Sequence, residues 1–209
     1  MPAHLLKIGL IGAGNIGRMH AEHLTSRIPS AEIVMVADVF EENARQCAQR
    51  YAIPFATQDY HAILDHPDIE AVVICSSTDT HARIIEDATQ AGKHIFCEKP
   101  IALDLPSIDR ALAAVAGTDI KLQLGFNRRF DASYRRVRQA VEQGETGRLQ
   151  QIHIISRDPA PPSIEYISGS GGLFLDMTIH DFDMARFLTG SEVEEIFVMA
   201  GVMVDPAIG

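Results

Sequence analysis

The sequence predicts an α/β fold: a doubly wound parallel sheet followed by an incomplete α+β region with an open, largely antiparallel sheet. Three observations carry this reading. Short β-branched runs alternate with helical stretches up to about residue 124. A glycine-rich turn directly follows the first run. After Gly125 the alternation gives way to longer, Pro- and Gly-interrupted segments. Single helices between buried strands call for parallel pairing through right-handed crossovers.

Taken in order, Leu5–Ile11 is an apolar run ended by Gly12, and residues 15–27 read as a helix. Ile33–Ala37 is short and β-branched, which suits a buried strand, and Glu41–Tyr51 is helical in composition. Ala71–Cys75 is the next buried strand, and residues 80–91 the next helix, with Gly92 as its stop signal. His94–Cys97 is a strand, Asp104–Ala116 a helix with Pro106, Ser107 and Asp109 in its first turn, and Ile120–Leu124 a further strand. Beyond the change in pattern, Ser133–Gln143 reads as a helix ended by Gly144, and Leu149–Ser156 as a strand. Asp158–Ser163 must be loop, because Pro159, Pro161 and Pro162 cannot donate to a ladder. Ser168–Gly172 is a glycine-rich turn, Phe174–Leu188 a helix closed by Gly190, and Val193–Val204 strand-like. A boundary near 124–126 therefore divides the chain into domains 1–124 and 125–209.

Charge and composition exclude several function classes. Eighteen Lys+Arg against 28 Asp+Glu leave a formal net charge of −10. A nucleic-acid or anionic-membrane partner would call for clustered positive charge. Arg128, Arg129, Arg135, Arg136 and Arg138 do cluster, and on so acidic a chain they read as a solvated face with ion pairs. The longest apolar runs fall far short of the ~20 residues that span a bilayer. The N-terminus, Met1-Pro2-Ala3-His4, lacks the regions of a signal peptide. Cys47, Cys75 and Cys97 are an odd, widely spaced set, which fits a reduced, cytoplasmic setting rather than disulfides or a zinc site.

Gly12-Ala13-Gly14-Asn15-Ile16-Gly17 is the motif G-x-G-x-x-G between a strand and a helix. The context gives it weight. Gly12 permits the tight turn, Gly14 lets a pyrophosphate approach the backbone, and Gly17 allows helix and strand to pack closely. Asp38 ends the second strand, where a carboxylate accepts from both adenosine ribose hydroxyls and repels a 2′-phosphate. The following residues, Val39-Phe40-Glu41-Glu42, contain no arginine, so the reading is NAD over NADP. Ser76 and Thr78, in the loop after Ala71–Cys75, are assigned to cofactor contact, with Thr78 or Asp79 as the competing helix cap.

Glu98-Lys99-Pro100 leaves the carboxyl end of a strand, where open α/β sheets bind ligands. Asp176 and His180 stand four apart, so on one α-helix they share a face. A histidine suits removal of a hydroxyl proton, an aspartate can orient it, and an ammonium favours a developing alkoxide. The competing reading of His180 is a hydrogen-bonded core histidine, and a metal among Asp176, His180, Asp181 and Asp183 is disfavoured for want of further ligands. A polyol pocket needs several hydrogen-bonding side chains, and Asn127, Arg128, Asp158 and Tyr166 are candidates.

These motifs resemble those of the glucose–fructose oxidoreductase / inositol dehydrogenase / rhizopine catabolism family of NAD(P)-dependent sugar and polyol dehydrogenases. The matching pieces are Gly12–Gly17, Asp38, Ser76–His81, Glu98-Lys99-Pro100 and Gly171–Asp183, which span nearly the whole chain. The segments Gly125–Asp131 and Ser156–Pro162 look most like inositol 2-dehydrogenases. The resemblance implies a Rossmann domain, NAD, and Lys99, Asp176 and His180 as the catalytic set. It also implies cofactor contacts from Asn15, Ile16, His81, Glu98 and Lys99, and no metal. The expected reaction is oxidation of a cyclic polyol, most like myo-inositol to 2-keto-myo-inositol, by a dimer or tetramer. Another sugar or dihydrodiol dehydrogenase is the alternative within the family. Because the region after Gly125 does not complete a sheet, the chain reads as a larger dehydrogenase ending early at Gly209, or else as a non-catalytic NAD-binding module.

Overall fold

The computed structural model describes residues 4–203 and 206. Two compact units make up the chain, Met1–Gly125 and Phe126–Gly209.

The first unit is a six-stranded sheet built from β1 (Leu6–Ile11), β2 (Ala31–Ala37), β3 (Phe55–Thr57), β4 (Ala71–Ile74), β5 (His94–Cys97) and β6 (Leu122–Leu124). Every pairing is parallel, in the order β3-β2-β1-β4-β5-β6. Helices α1 (Asn15–Arg27), α2 (Glu41–Tyr51), α3 (His61–Leu64), α4 (Thr78–Gln90) and α5 (Leu105–Val115) make the crossovers. Both faces of the sheet are covered, so its strands are apolar on both sides. Along β4, Val72 and Ile74 enter one core cluster while Val73 enters the other, the alternation a pleated strand imposes. Leu10, Val36, Val72, Ile74 and Ile85 are fully buried. Each such aliphatic side chain contributes about 1.5–3 kcal/mol relative to exposure.

The segment 52–70, to which hydropathy periodicity assigns no element, holds β3 and α3. At three and four residues they are too short to show a period. Tertiary packing explains them. Gly9 of β1 leaves a space that Ile63 of α3 fills, and a Cβ there would meet Ile63 Cγ2 at 2.1 Å.

In the second unit a 3₁₀ turn (Asn127–Phe130) leads into α6 (Ala132–Glu142). Asp131 caps α6 by accepting from the Ser133 and Tyr134 N–H groups at 2.9 and 3.2 Å. Next come α7 (Ile164–Ser170), a π turn (Phe174–Thr178) and α8 (Ile179–Thr189), which closes at Gly190. The expected glycine turn at Ser168–Gly172 is in part the end of α7, with Gly171 as its left-handed stop. Arg138 of α6 donates to the Phe187 carbonyl at 2.6 Å and lies over the Phe187 ring.

The two segments expected as strands differ from expectation. Among the described residues neither 149–156 nor 193–203 joins a ladder, and Val204 lies outside those residues, as do Met1–Ala3 at the other end. A strand is defined by pairing, and alternation in the sequence provides no partner edge. Ile196, Phe197, Met199 and Met203 accordingly stay exposed.

Candidate active site

The strand order reverses between β1 and β4, and the crevice at such a switch point is where doubly wound sheets hold ligands. A cleft of about 360 Å³ opens there, lined by Gly12, Gly14, Asp38, Phe40, Ser76 and Arg83 among others. The three motif glycines divide the work. Gly12 has φ +98°, and a Cβ on it would lie 2.5 Å from the Cys75 carbonyl. A Cβ on Gly17 would lie 1.9 Å from the Gly12 carbonyl oxygen. Around Gly14 nothing stands within 4 Å. That open side, beside the start of α1, fits the approach of a pyrophosphate to N–H groups at a helix N-terminus. Asn15 and Ile16 form the exposed first turn of α1.

Asp38 is held at the end of β2. It accepts from the Ala13 N–H at 2.7 Å and the Phe40 N–H at 2.9 Å, and Asn43 Nδ2 stands at 3.5 Å. A carboxylate offers about four acceptor sites, so ribose hydroxyls can still be taken. The four residues after Asp38 contain no arginine, yet the fold brings two from elsewhere in the chain to the cleft or to the residues that line it. Arg18 donates to Asn43 at 3.2 Å, and Arg83 lines the cleft and lies over the Tyr60 ring. Burial, helped by a 2.6 Å hydrogen bond to Asp87, pushes the Tyr60 phenol up to about 12.

Ser76 lines the cleft and shares a 2.7 Å hydrogen bond with Thr80. Thr78 begins α4 and is not part of the lining, whereas Ser77 and Thr80 are. The cap of α4 is Ser77, not Thr78 or Asp79. His81 is 2% exposed and points away from solvent: Nδ1 lies 2.8 Å from the Pro100 carbonyl and Nε2 3.0 Å from the Ser76 carbonyl.

β4 and β5 run in register, Ile74 beside Cys97, so Cys75-Ser76 and Glu98-Lys99 leave the sheet side by side. The Lys99–Pro100 peptide is cis, and Lys99 is half-buried. Glu98 receives His20 Nε2 at 2.7 Å, a contact the sequence alone does not announce. Gly125 makes room for that carboxylate, since a Cβ there would lie 2.7 Å from Glu98 Oε2.

In the second unit, Asp176 sits inside the π turn and His180 in the first turn of α8. Their spacing thus crosses a change of helical geometry instead of following one regular α-helix. Such π segments are rare and frequent at functional sites. The structure brings Tyr166 and Asp176 together: the phenol donates to Asp176 Oδ1 at 3.0 Å. Burial, and then that carboxylate, push the Tyr166 phenol above its ordinary value. The His180 ring meets Phe126 edge-on at 6.4 Å.

Arg128 pairs with Asp181, which also accepts from Ser156 Oγ at 2.6 Å. Arg129 grips the buried Asp183 through Nε at 2.8 Å and Nη2 at 2.6 Å. The ion pairs anticipated for the arginine cluster are therefore present. Asn127 opens the 3₁₀ turn beside Arg128, and Asp158 lies exposed on the proline-rich loop. Among the described residues, no three His, Cys, Asp or Glu side chains converge as metal ligands would.

A parallel sheet in this order, a glycine cradle at its switch point and a carboxylate at the end of β2 define a nicotinamide-dinucleotide-binding domain. Residues 6–126 match the profile of an oxidoreductase family with an NAD-binding Rossmann fold, and residues 134–208 match the GFO/IDH/MocA C-terminal domain. The chain belongs to the GFO/IDH/MocA oxidoreductase family, and its first unit is an NAD-binding Rossmann domain. It is 45% identical to a myo-inositol 2-dehydrogenase of Thermotoga maritima over 98% of this chain and 61% of the relative. An inositol 2-dehydrogenase of Rhizobium meliloti is 48% identical over the same shares. The solved scyllo-inositol dehydrogenase of Lactobacillus casei, with bound NAD(H) and scyllo-inositol, superposes with a TM-score of 0.83 at 38% identity, covering 89% of this chain and 56% of that one. The chain thus spans about three fifths of the length of the curated relatives it matches.

Proposed function

We propose that this protein catalyses NAD-dependent oxidation of a ring hydroxyl of a cyclic polyol, with myo-inositol and its 2-keto product as the pair expected. The observation that carries the reading is the co-occurrence, in one chain, of the NAD cradle, Glu98-Lys99-Pro100 and the Asp176/His180 pair. Identities of 45% and 48% to inositol 2-dehydrogenases support the substrate class.

NAD, when bound, supplies the hydride acceptor. The chain's own groups handle the proton and the charge. His180 takes the hydroxyl proton as the carbonyl forms. Asp176, already bonded to Tyr166, stabilises the imidazolium and orients the polyol. The Lys99 ammonium favours the developing alkoxide. Asn127, Arg128, Asp158 and Tyr166 are the polar groups assigned to the remaining hydroxyls. A homo-oligomer working in the cytoplasm is part of the same proposal. The test is NADH formation with myo-inositol, other inositols, sugars and dihydrodiols.

The second reading, a non-catalytic NAD-binding module, is favoured by one observation: segments 149–156 and 193–203 form no ladder among the described residues. NAD binding without turnover on any of these substrates is the result it predicts.

A further inference from the structure

The turn that carries Lys99 is held from both sides by histidines from the two helices that rise from the cofactor cleft. On one side is His20 of α1, the helix opened by the glycine turn. Its Nε2 lies 2.7 Å from Glu98 Oε1, and its ring meets Phe96 edge-on at 5.2 Å. The two side chains are 20% and 21% exposed, so water screens the contact only in part. On the other side is His81 of α4, the helix that follows the cleft-lining Ser76 and Ser77. Its Nδ1 reaches the Pro100 carbonyl at 2.8 Å, and its Nε2 the Ser76 carbonyl at 3.0 Å. A neutral imidazole has one ring N–H and donates to one of those carbonyls at a time; an imidazolium donates to both.

We propose that His20 and His81 are positioning residues for Lys99, fixing the Glu98-Lys99-Pro100 turn beside Ser76 at the edge of the cleft. The proposal rests on reading Lys99 as the group that meets the alkoxide. Each histidine is bonded to the turn itself, His20 to the Glu98 carboxylate and His81 to the Pro100 carbonyl, and so acts on Lys99 through the turn. A hydrogen bond to a carboxylate is among the strong ones, and Glu98 is joined to Lys99 by a single peptide. Freeing the Glu98 side chain removes one of the two anchors that flank Lys99, the other being the Pro100 carbonyl held by His81. Because α1 also presents its N-terminus to the pyrophosphate site, the same helix registers the cofactor and the lysine.

The experiment pairs kinetics with a readout that needs no turnover. Reductive methylation of lysines, followed by mass spectrometry, gives the modification rate of Lys99 with Lys7, Lys93 and Lys121 as internal references. In His20→Ala the Lys99 rate is expected to change by about threefold or more, and kcat to fall by about 10- to 100-fold, with NAD affinity kept within about threefold. His20→Gln, which restores a donor, is expected to recover most of both. In a Lys99→Ala background, His20→Ala is expected to cost nothing further, because the two act as a unit. His81→Gln is expected to behave as His20→Gln does. An unchanged Lys99 methylation rate in His20→Ala overturns the proposal, as do additive losses in the double variant. If His20→Ala does not fold, His20→Gln and Glu98→Gln carry the same measurements. Absence of turnover in the unmodified protein would sink the proposed function alone, since the methylation rates still report whether the histidines position Lys99.

Discussion

At the scale of single residues, the cofactor cradle is decided by three glycines with different neighbours. Gly17 faces the Gly12 carbonyl so closely that any side chain must displace the backbone, while Gly14 faces open space. Gly17→Ala is therefore expected to lower the thermal midpoint sharply or to prevent folding. Gly14→Ala is expected to fold with a near-normal midpoint and to bind NAD at least about tenfold more weakly, because a methyl group then occupies the approach of the pyrophosphate. Calorimetry and NADH fluorescence titration separate the two effects. Equal loss of stability in both variants would contradict this division. The glycine turn and the placing of Asp38 beside it were legible in the sequence because a recognisable motif and the acidic residue that ends the next strand mark one βαβ unit. His20, Arg18 and Arg83 were not. Glu98 stands 78 residues from His20, and no spacing rule links His20 to Glu98, Arg18 to Asn43 or Arg83 to the cleft.

At the scale of elements, periodicity succeeded where an element buries a face and failed where it is too short or lacks a partner. The helices α1, α2, α4 and α5 and strands β4 and β5 fall where the apolar pattern puts them. β3 and α3 escaped because three or four residues carry no period. The π turn at Asp176 escaped because apolar spacing does not distinguish it from the α-helix it continues into. Helix capping offers a prediction at this scale. Asp104 accepts the Ser107 N–H at 2.8 Å, and that bond holds its carboxyl below the ordinary value of 3.8. A carboxyl whose value is lowered on folding stabilises the protein above its unfolded value and loses that contribution as pH falls through the folded one. Asp104→Ala is expected to lower the thermal midpoint at neutral pH. The gap to the unsubstituted protein should close as pH drops below 3.8. A gap that persists unchanged in acid would mean that the cap does not act through its charge.

At the scale of the whole molecule, the acidic surface and the apolar interior are set by composition, and the interior also governs the thiols. Cys47 and Cys97 are buried, Cys75 is half-buried, and burial pushes all three thiols up from their ordinary value. A thiolate is the reactive form, so a disulfide-exchange reagent is expected to label the native protein slowly and to titrate all three cysteines once it is unfolded. Rapid labelling of the native state would show that the sheet's core is open.

Family membership and the NAD-binding domain rest on the fold and the comparisons together, whereas the reaction rests on a few polar side chains. It is tested most directly by following NADH formation from NAD and myo-inositol, with scyllo-inositol and simple sugars alongside, for the unsubstituted protein and for His180→Ala. Turnover on a cyclic polyol, falling by about 10²- to 10⁴-fold in His180→Ala with NAD binding retained, is the predicted result. NAD binding without turnover on any polyol, or a His180→Ala protein that turns over normally, would contradict the account.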